Sequence, residues 1–344
     1  MSSMLHYQPE WVREDFIDFI AEKVNPLWAW KRVKAMIVAI DPLSHDFFKI
    51  QLRPNRNFKS DALTAGQSIL VTVVIAGVRQ QRSYSVIEQL KNGDLVIAVR
   101  VQGIVSKKLS QLSLGDVLEI SQAQGDFMLQ AQDQSRLLIA SGSGITAIYS
   151  LLKQALTQDE SNLPTQIDLI YFSRDQAFHV ELQQLAEQHP HFHYHFINTS
   201  QIQQHLDLEL LKKMTPHFQT ATTYACGAQP MMHSLNQIYR DLKLQDRLKQ
   251  EYFHIHVDEN LPSQQVTFLR AQQQFQADRN LLESAEQAGL RPAHGCRIGI
   301  CNTCSCTKVS GSTKNIITGE IDHGTNTQIK LCVSQAVSPV VINL

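Results

Sequence analysis

The sequence predicts a multidomain α/β protein, and three patterns along its 344 residues support that fold class. Residues 34–132 hold short runs rich in Val, Ile and Leu, separated by Gly, Asn, Asp and Ser, which is typical of a small β-barrel. Residues 136–244 alternate between strand-like and helix-like segments, as a parallel sheet covered by helices requires. The C-terminal part carries a dense group of cysteines among further short elements.

Each domain is predicted from its own elements. The barrel strands are short and bounded by turn-forming residues, at 34–40, 47–52, 68–75, 95–101 and 117–120. The strands of the second domain are apolar and alternate with amphipathic helices, at 137–140, 167–172 and, as the last clear strand, 221–225. After a polar linker, the C-terminal domain is predicted to contain a hairpin, a helix and a final strand, at 264–275, 280–290 and 340–343.

Residues 1–33 precede the barrel and predict a helical extension. Trp11, Phe16, Ile17, Ile20 and Val24 recur at roughly helical spacing, while acidic residues line the other face. We expect this helix to pack on the body of the protein. A helix that docks on a partner or a membrane is disfavoured because the polar face is acidic rather than basic.

Composition and charge exclude several classes of protein. A formal net charge of −1 does not favour nucleic-acid binding. Early charged residues argue against a signal peptide, and the longest apolar-rich run, 69–78, is too short to span a bilayer. Six cysteines spaced for metal binding rather than disulfides indicate a reducing compartment. We therefore expect a cytoplasmic protein that contacts membranes only through a partner.

Four cysteines have the spacing of an iron–sulfur site. Cys296, Cys301 and Cys304 form a C-x4-C-x2-C array, and Cys332 follows after 27 further residues, which is the plant-type spacing for a [2Fe-2S] cluster. A structural zinc site is the alternative, but zinc ribbons usually contain two close cysteine pairs, and the second pair is missing. Cys306 is expected to be a bystander.

Two short motifs in the barrel have phosphate- and ring-binding chemistry. Arg82 and Tyr84, at the predicted end of a strand, offer a cation for a pyrophosphate and a ring that stacks on a flat cofactor. Gly103 and Ser106 form a G-x-x-S element at a predicted helix start, where backbone N–H groups are available to phosphate.

A glycine-rich turn opens the second domain. Gly142, Gly144 and Thr146 lie between a buried strand and a helix, where N–H groups and the helix dipole attract a pyrophosphate. The next strand ends in Ser173 and Arg174, which suit the 2′-phosphate of NADPH. Asp175 follows directly, so NADH remains the alternative.

These motifs, with G-D-x-L at 115–118 and G-x-F-x-L at 125–129, resemble the flavin domain of the ferredoxin-NADP reductase family. The resemblance implies that Arg82 binds the flavin phosphates, that Tyr84 stacks on the isoalloxazine and that Ser85 hydrogen-bonds near flavin N5. The G-x-x-S element is typical of members that hold FAD rather than FMN.

The resemblance continues toward the C-terminus. Cys226 and Gly227 begin a C-G-x-x-P segment similar to the one beside the nicotinamide, which would place Cys226 near the point of hydride transfer. The helix and cysteine loop that follow resemble a plant-type ferredoxin, a β-grasp domain. The expected domains are an extension, a FAD-binding β-barrel, an NAD(P)-binding domain, a linker and a [2Fe-2S] ferredoxin domain, at 1–33, 34–133, 134–250, 251–262 and 263–344.

The order of these parts implies an electron-transfer reductase. Hydride would pass from NADPH to FAD, and single electrons would leave through the cluster to a protein acceptor. The resemblance suggests a membrane fatty-acid desaturase of stearoyl-CoA type as acceptor, with a Rieske-type or other multicomponent oxygenase as the alternative. A redox sensor without turnover is disfavoured by the intact motifs. A flavohaemoglobin is disfavoured because 33 residues cannot hold a globin domain.

Overall fold

The computed structural model describes residues 14–130, 133, 135–157, 166–202, 204–253 and 257–344. Six antiparallel strands form a closed barrel in the order β1-β2-β5-β4-β3-β6. Their bounds are Val33–Pro42, Phe47–Pro54, Ser68–Ile75, Val78–Gln89, Leu95–Arg100 and Val117–Ile120 for β1 to β6. A short helix α2, Ile104–Leu109, follows β5, and aliphatic side chains from all six strands fill the barrel.

The five predicted barrel strands are confirmed, and those at 68–75 and 117–120 have the predicted bounds. The sixth strand, β4, was not predicted because its first half is a run of polar residues without apolar alternation. It pairs with β3 along its first eight residues, from Ile75 opposite Val78 to Ser68 opposite Ser85. Arg82 and Tyr84 therefore lie within a long strand, and the prediction that they end a strand was wrong.

The second domain is a five-stranded parallel sheet in the order β11-β10-β7-β8-β9. The strands β7 to β11 span Ser135–Ser141, Gln166–Ser173, Phe192–Asn198, Thr222–Cys226 and Leu248–Glu251. The helices α3 to α6 span Ile145–Leu156, His179–Gln188, Leu208–Met214 and Gln229–Asp241. The edge strand β11 lies beyond the predicted last strand, and its polar sequence explains why it was missed. The chain order reverses between β7 and β10, which is where such sheets bind ligands at the strands' carboxyl ends.

The C-terminal domain contains two small sheets and one helix. A five-stranded sheet has the order β13-β12-β19-β14-β17, and a three-stranded sheet has the order β16-β15-β18. Strands β12 to β19 span Gln264–Phe268, Gln273–Ala277, Ser305–Ser310, Thr313–Asn315, Ile321–Asp322, Thr327–Lys330, Ser334–Ala336 and Val340–Ile342. Helix α7, Leu281–Gln287, begins after Asn280, whose side chain accepts a hydrogen bond from the Glu283 N–H. The predicted hairpin, helix and last strand are confirmed.

The acids of the N-terminal helix α1, Glu14–Val24, pair with the segment just before β1 and with β1 itself. Asp18 is buried; it accepts a hydrogen bond from the Trp30 N–H at 2.5 Å and pairs with Arg32 at 2.6 Å. Glu22 pairs with Lys34 of β1 at 2.6 Å. The helix packs on the body as expected, but its acidic face makes the contact. Trp11 lies outside the described residues. Within those residues, no helix combines the length and the apolar character that crossing a membrane would require.

Candidate functional site

A cleft between the barrel and the second domain gathers the motif residues of both. Arg82, Tyr84 and Ser85 of β4 line it together with Gly103 and Ser106 at the start of α2. Thr146, from the first turn of α3, closes the other side. Tyr84 packs against the barrel core, and burial raises the pKa of its hydroxyl. Six residues predicted from separate motifs thus share one cleft, which we term the flavin cleft.

Ser85 provides a test of whether the cleft fits a flavin. The residue is 2% exposed, and its Oγ has no hydrogen-bond partner among the described residues. A buried hydroxyl without a partner is costly, so such a group indicates a ligand atom that completes its bonding. Burial also lowers the pKa of Arg82, whose side chain, among the residues that the structure describes, donates only to the neighbouring Gln81 carbonyl. An anionic group would satisfy that guanidinium.

Ser106 has a more specific structural role than its motif indicates. Its Oγ accepts hydrogen bonds from the N–H groups of Gln102 and Gly103, both at 2.9 Å, and donates to the Gly103 carbonyl at 3.0 Å. The hydroxyl therefore holds the turn in shape before α2. This bonding suggests that Ser106 shapes the phosphate-binding turn rather than contacting phosphate through its side chain.

A second cleft of about 470 Å³ lies at the carboxyl ends of the parallel strands. It is lined by the turn from Ser141 to Gly144, by Ser173 and Arg174 after β8, and by Gly227 after β10. Gly142 has a φ of +53°, which favours glycine. This arrangement of turn, helix start and strand ends is the one that binds a dinucleotide in open α/β sheets. We term it the nucleotide cleft.

Close backbone packing holds the glycine-rich turn against β10. A Cβ on Gly144 would lie 2.1 Å from the Cys226 carbonyl oxygen, and one on Gly227 would lie 2.2 Å from Ser141 Oγ. Ser141 Oγ in turn accepts a hydrogen bond from the Ala228 N–H at 2.6 Å. Only glycine fits at these two positions, so the turn and the end of β10 form one rigid wall of the cleft.

The side chain of Cys226 lies behind this wall, whereas its backbone carbonyl is part of the wall. The residue is fully buried, burial raises the pKa of its thiol, and it is absent from the described lining of both clefts, whereas Gly227 lines the nucleotide cleft. Its neighbour across the sheet, Glu251, is also buried, and burial raises the pKa of that carboxyl group to about 8. The placement of Cys226 near the nicotinamide stays a prediction.

Three residues line both clefts and were not identified from the sequence: Arg100, Gln102 and Phe253. Arg100 bridges the two domains, since it pairs with Asp46 of the barrel at 3.1 Å and with Asp175 of the second domain at 2.7 Å. Phe253 follows β11, the strand that sequence patterns missed. Ser143 of the glycine-rich turn is also shared. The two clefts therefore meet at these side chains.

The four predicted cluster ligands come together as two pairs. Cys296 and Cys301 exchange N–H to sulfur hydrogen bonds at 3.2 and 3.3 Å, and the sulfurs of Cys304 and Cys332 are 3.3 Å apart. In each pair a hydrogen bond with the partner thiol lowers one pKa, to about 4 for Cys301 and about 6 for Cys304.

The paired arrangement fits a two-iron group better than one zinc ion. Within the described ranges no three metal-ligating side chains converge on a single ion, and two thiolates for each iron satisfy a [2Fe-2S] cluster. The cysteine loop is held by tight packing: a Cβ on Gly295 would lie 2.9 Å from Cys301 Sγ, and Gly299 has a φ of +84°. Cys306 is buried beside Cys304, and burial with that neighbour raises its pKa to about 12.

The cysteine loop contacts the barrel next to the flavin cleft. Leu70 of β3 packs with Cys296 and Ile298 in one small apolar cluster. Arg297 makes a bidentate ion pair with Glu286 of α7, at 2.8 and 2.5 Å, and both charges act on the pKa of Arg82. The two candidate cofactor sites are thus adjacent, and Arg297 of the cysteine loop is close enough to Arg82 of the flavin cleft to affect its pKa.

Three domain families match the chain, and they follow one another along the sequence in the same order as the flavin cleft, the nucleotide cleft and the cysteine loop. Residues 34–129 match the oxidoreductase FAD-binding domain, residues 138–237 the oxidoreductase NAD-binding domain and residues 266–336 the 2Fe-2S iron–sulfur cluster binding domain. The chain is 26% identical over 333 residues to an NADPH oxidoreductase of Mycobacterium tuberculosis, which covers 93% of this chain and 86% of that protein. It is 25% identical over 322 residues to a tetrachlorobenzoquinone reductase of Sphingobium chlorophenolicum, covering 88% and 95%.

Solved structures share the same three-domain architecture. Phthalate dioxygenase reductase, described as a modular structure for electron transfer from pyridine nucleotides to [2Fe-2S], matches with a TM-score of 0.58 and 23% identity over 90% of this chain and 97% of that chain. A type IV self-sufficient cytochrome P450 monooxygenase matches with a TM-score of 0.60 and 16% identity over 94% and 44%. The domains, their order and the two adjacent sites show that electrons pass from a pyridine nucleotide through FAD to a [2Fe-2S] cluster. The chain therefore combines an oxidoreductase FAD-binding domain and an oxidoreductase NAD-binding domain with a C-terminal 2Fe-2S iron–sulfur cluster binding domain.

Proposed function

We propose that the chain is an NADPH-dependent reductase that delivers single electrons to a protein acceptor. The contact between the cysteine loop and the barrel next to the flavin cleft carries this proposal, because Leu70 of β3 packs on Cys296 one strand away from Tyr84. FAD and the cluster, when bound, supply the conversion of the two electrons of one hydride into single electrons. The balanced reaction takes one NADPH and two oxidised acceptors to NADP⁺, one proton and two singly reduced acceptors.

The side chains of the flavin cleft suit the binding of FAD. Arg82 offers charge-assisted hydrogen bonds to the flavin phosphates, and Tyr84 offers an aromatic face. Ser85 offers a buried hydroxyl to a polar atom of the ring, consistent with its unsatisfied Oγ. Phe253 lines both clefts and is therefore placed to exclude water between the nicotinamide and the flavin.

The charges at the end of β8 support NADPH over NADH. Arg174 is exposed, lines the nucleotide cleft and makes no hydrogen bond or ion pair with any described residue. Asp175, the carboxylate that would bind a ribose 2′-hydroxyl, is instead paired with Arg100 at 2.7 Å. Arg174 has no partner among the described residues, and Asp175 is already paired, so the two side chains favour the nucleotide that carries a 2′-phosphate. The relative from Mycobacterium tuberculosis is named an NADPH oxidoreductase, which supports the same choice.

An anaerobic titration followed by visible absorbance tests the relay. Sub-stoichiometric NADPH should bleach the overlapping flavin and iron–sulfur bands of the purified protein, and NADH should require much higher concentrations. Equal bleaching by both nucleotides would contradict the assignment of Arg174. A protein that holds iron and flavin but is bleached by neither nucleotide would contradict the function itself.

For the acceptor we propose a membrane fatty-acid desaturase of stearoyl-CoA type. The feature that supports a membrane-bound acceptor is an exposed tryptophan-bearing surface on the N-terminal extension, with Trp28 and Trp30 both more than half exposed. A Rieske-type oxygenase is the second candidate, favoured by the three-domain likeness to phthalate dioxygenase reductase. Co-expression with each candidate acceptor and measurement of NADPH-dependent product distinguishes them. Product from the oxygenase alone would contradict the desaturase.

A further inference from the structure

The N-terminal extension carries an apolar surface on the outside of the protein. We define this tryptophan surface by Ile20, Val24, Trp28 and Trp30, whose exposed fractions are 49%, 70%, 56% and 57%. The chain has one further tryptophan, Trp11, so all three tryptophans lie within its first 30 residues. Large exposed apolar groups that cluster in this way mark an interaction site.

The apolar stripe of helix α1 faces outward because the acidic residues of the helix form ion pairs on its inner side. Ile17, Ile20, Ala21 and Val24 follow the i, i+3, i+4, i+7 spacing that usually faces a core. In this protein the acidic face points inward instead: Asp18 pairs with Arg32, just before β1, and Glu22 pairs with Lys34 of β1. Because these acids are paired with cations on the inner side of the helix, they do not repel a negatively charged partner that approaches its outer side.

A groove of about 480 Å³ continues the tryptophan surface. In the described part of the chain its lining contains two arginines and no acid: Ile17, Ala21, Leu27, Trp28, Ala29, Trp30, Arg53, Pro54, Asn55 and Arg56. Arg53 pairs with Asp94, whereas Arg56 is exposed and makes no ion pair with a described residue. The groove thus combines apolar depth, indole rings and positive charge.

We propose that the tryptophan surface binds the face of a lipid bilayer that contains anionic headgroups. Indole side chains are favoured at the boundary between acyl chains and headgroups, and arginine pairs with lipid phosphate. The groove lies at the end of β2, which is separated from β3 by two strands on either path around the barrel. Leu70 of β3 contacts the cysteine loop. Lipid binding on the β2 side therefore leaves that loop accessible to a protein acceptor.

This inference goes beyond the proposed acceptor, and the binding measurement that tests it needs neither the protein acceptor nor nucleotide. The complete protein with its cofactors is sedimented with vesicles of phosphatidylcholine alone and of phosphatidylcholine with about one third phosphatidylglycerol. We expect binding to the mixed vesicles and a blue shift of tryptophan emission. The double substitution Trp28→Ala with Trp30→Ala should weaken binding by about tenfold or more, since it removes two large apolar groups.

Charge and control variants complete the experiment. Arg56→Glu should weaken binding to the mixed vesicles at least about fivefold, because each cation near such a surface contributes about 1 kcal/mol. Arg240→Glu, the same charge change at an exposed position of α6, and Leu114→Ala, at a 65% exposed barrel residue, should leave binding unchanged. Reduction of ferricyanide by NADPH reports that each variant is folded and active.

Three results would overturn the proposal. The first is equal sedimentation of the parent and the double tryptophan variant. The second is binding that does not depend on anionic lipid. The third is a concentration-dependent dimer that Trp30→Ala abolishes in a protein that ignores vesicles, which would make the surface an interface between two copies of the chain. None of these results would affect the electron relay.

Discussion

Three of the four predicted cluster ligands lie within residues 296–304, in the cysteine loop, whereas the two clefts take their linings from strands and turns spread between Arg82 and Phe253. In the loop, local backbone bends and glycines place the sulfurs. In the clefts, tertiary packing brings together side chains more than a hundred residues apart. A local site depends strongly on each ligand, while a distributed site divides binding among many groups. The predictions below test that difference.

The largest effect is expected at the cysteine loop. Cys301→Ser should abolish the NADPH-dependent reduction of cytochrome c, because the cluster loses one of four thiolate ligands. Reduction of ferricyanide, which FAD can carry out directly, should persist. Cys306→Ser provides the matched control, since Cys306 is buried next to a ligand but is expected to bind no iron. Loss of both activities in Cys301→Ser, with the fold intact, would indicate that the flavin site depends on the loop.

A large loss of stability is expected at the wall between the clefts. Gly144→Ala places a Cβ 2.1 Å from the Cys226 carbonyl oxygen, so the backbone must move, and the free energy of unfolding should fall by about 3 kcal/mol. Chemical denaturation measures this change. Gly103→Ala, where a Cβ would meet nothing within 4 Å, should change stability by less than about 1 kcal/mol. Equal effects of the two substitutions would refute the packing argument.

A smaller and more selective effect is expected at Arg174. Arg174→Ala should lower the preference for NADPH over NADH by about tenfold to a hundredfold, which corresponds to the loss of one charged hydrogen bond. The ratio of kcat/KM for the two nucleotides is the measurement. Arg240→Ala, at an exposed arginine of the same domain, serves as control. An unchanged ratio would move the 2′-phosphate contact to another residue.

The smallest effect concerns the pH dependence of stability. Because burial raises the pKa of Glu251 to about 8, the folded state favours the protonated carboxyl group. Its contribution to stability is complete below the ordinary pKa of about 4.5 and is lost as pH rises toward 8. Glu251→Gln should remove this dependence and stabilise the cofactor-depleted protein at pH 8 by about 1–3 kcal/mol. Melting temperatures between pH 5 and 9 provide the test. Parallel curves for both proteins would contradict it.

Sequence patterns predicted the elements whose apolar residues alternate or recur, and they missed β4 and β11. The missed strands are rich in Gln, Lys and Arg, and backbone pairing with neighbours determines their structure. The error at β11 had a consequence, because Phe253 follows it and lines both clefts. A polar strand shows no alternation of apolar and polar residues, so only its pairing with neighbouring strands in the folded protein identifies it.

The sequence by itself determined the candidate sites that depend on short spacing: the three cysteines at 296–304, the glycine-rich turn and the arginine–tyrosine motif. These motifs work through local backbone geometry, which nearby residues specify. Only the tertiary structure decided which long-range neighbours meet, such as Arg100 with Asp175, Leu70 with Cys296, and Glu22 of α1 with Lys34 of β1. Such contacts depend on the packing of whole domains, and a charged side chain has no preferred partner until the fold presents one.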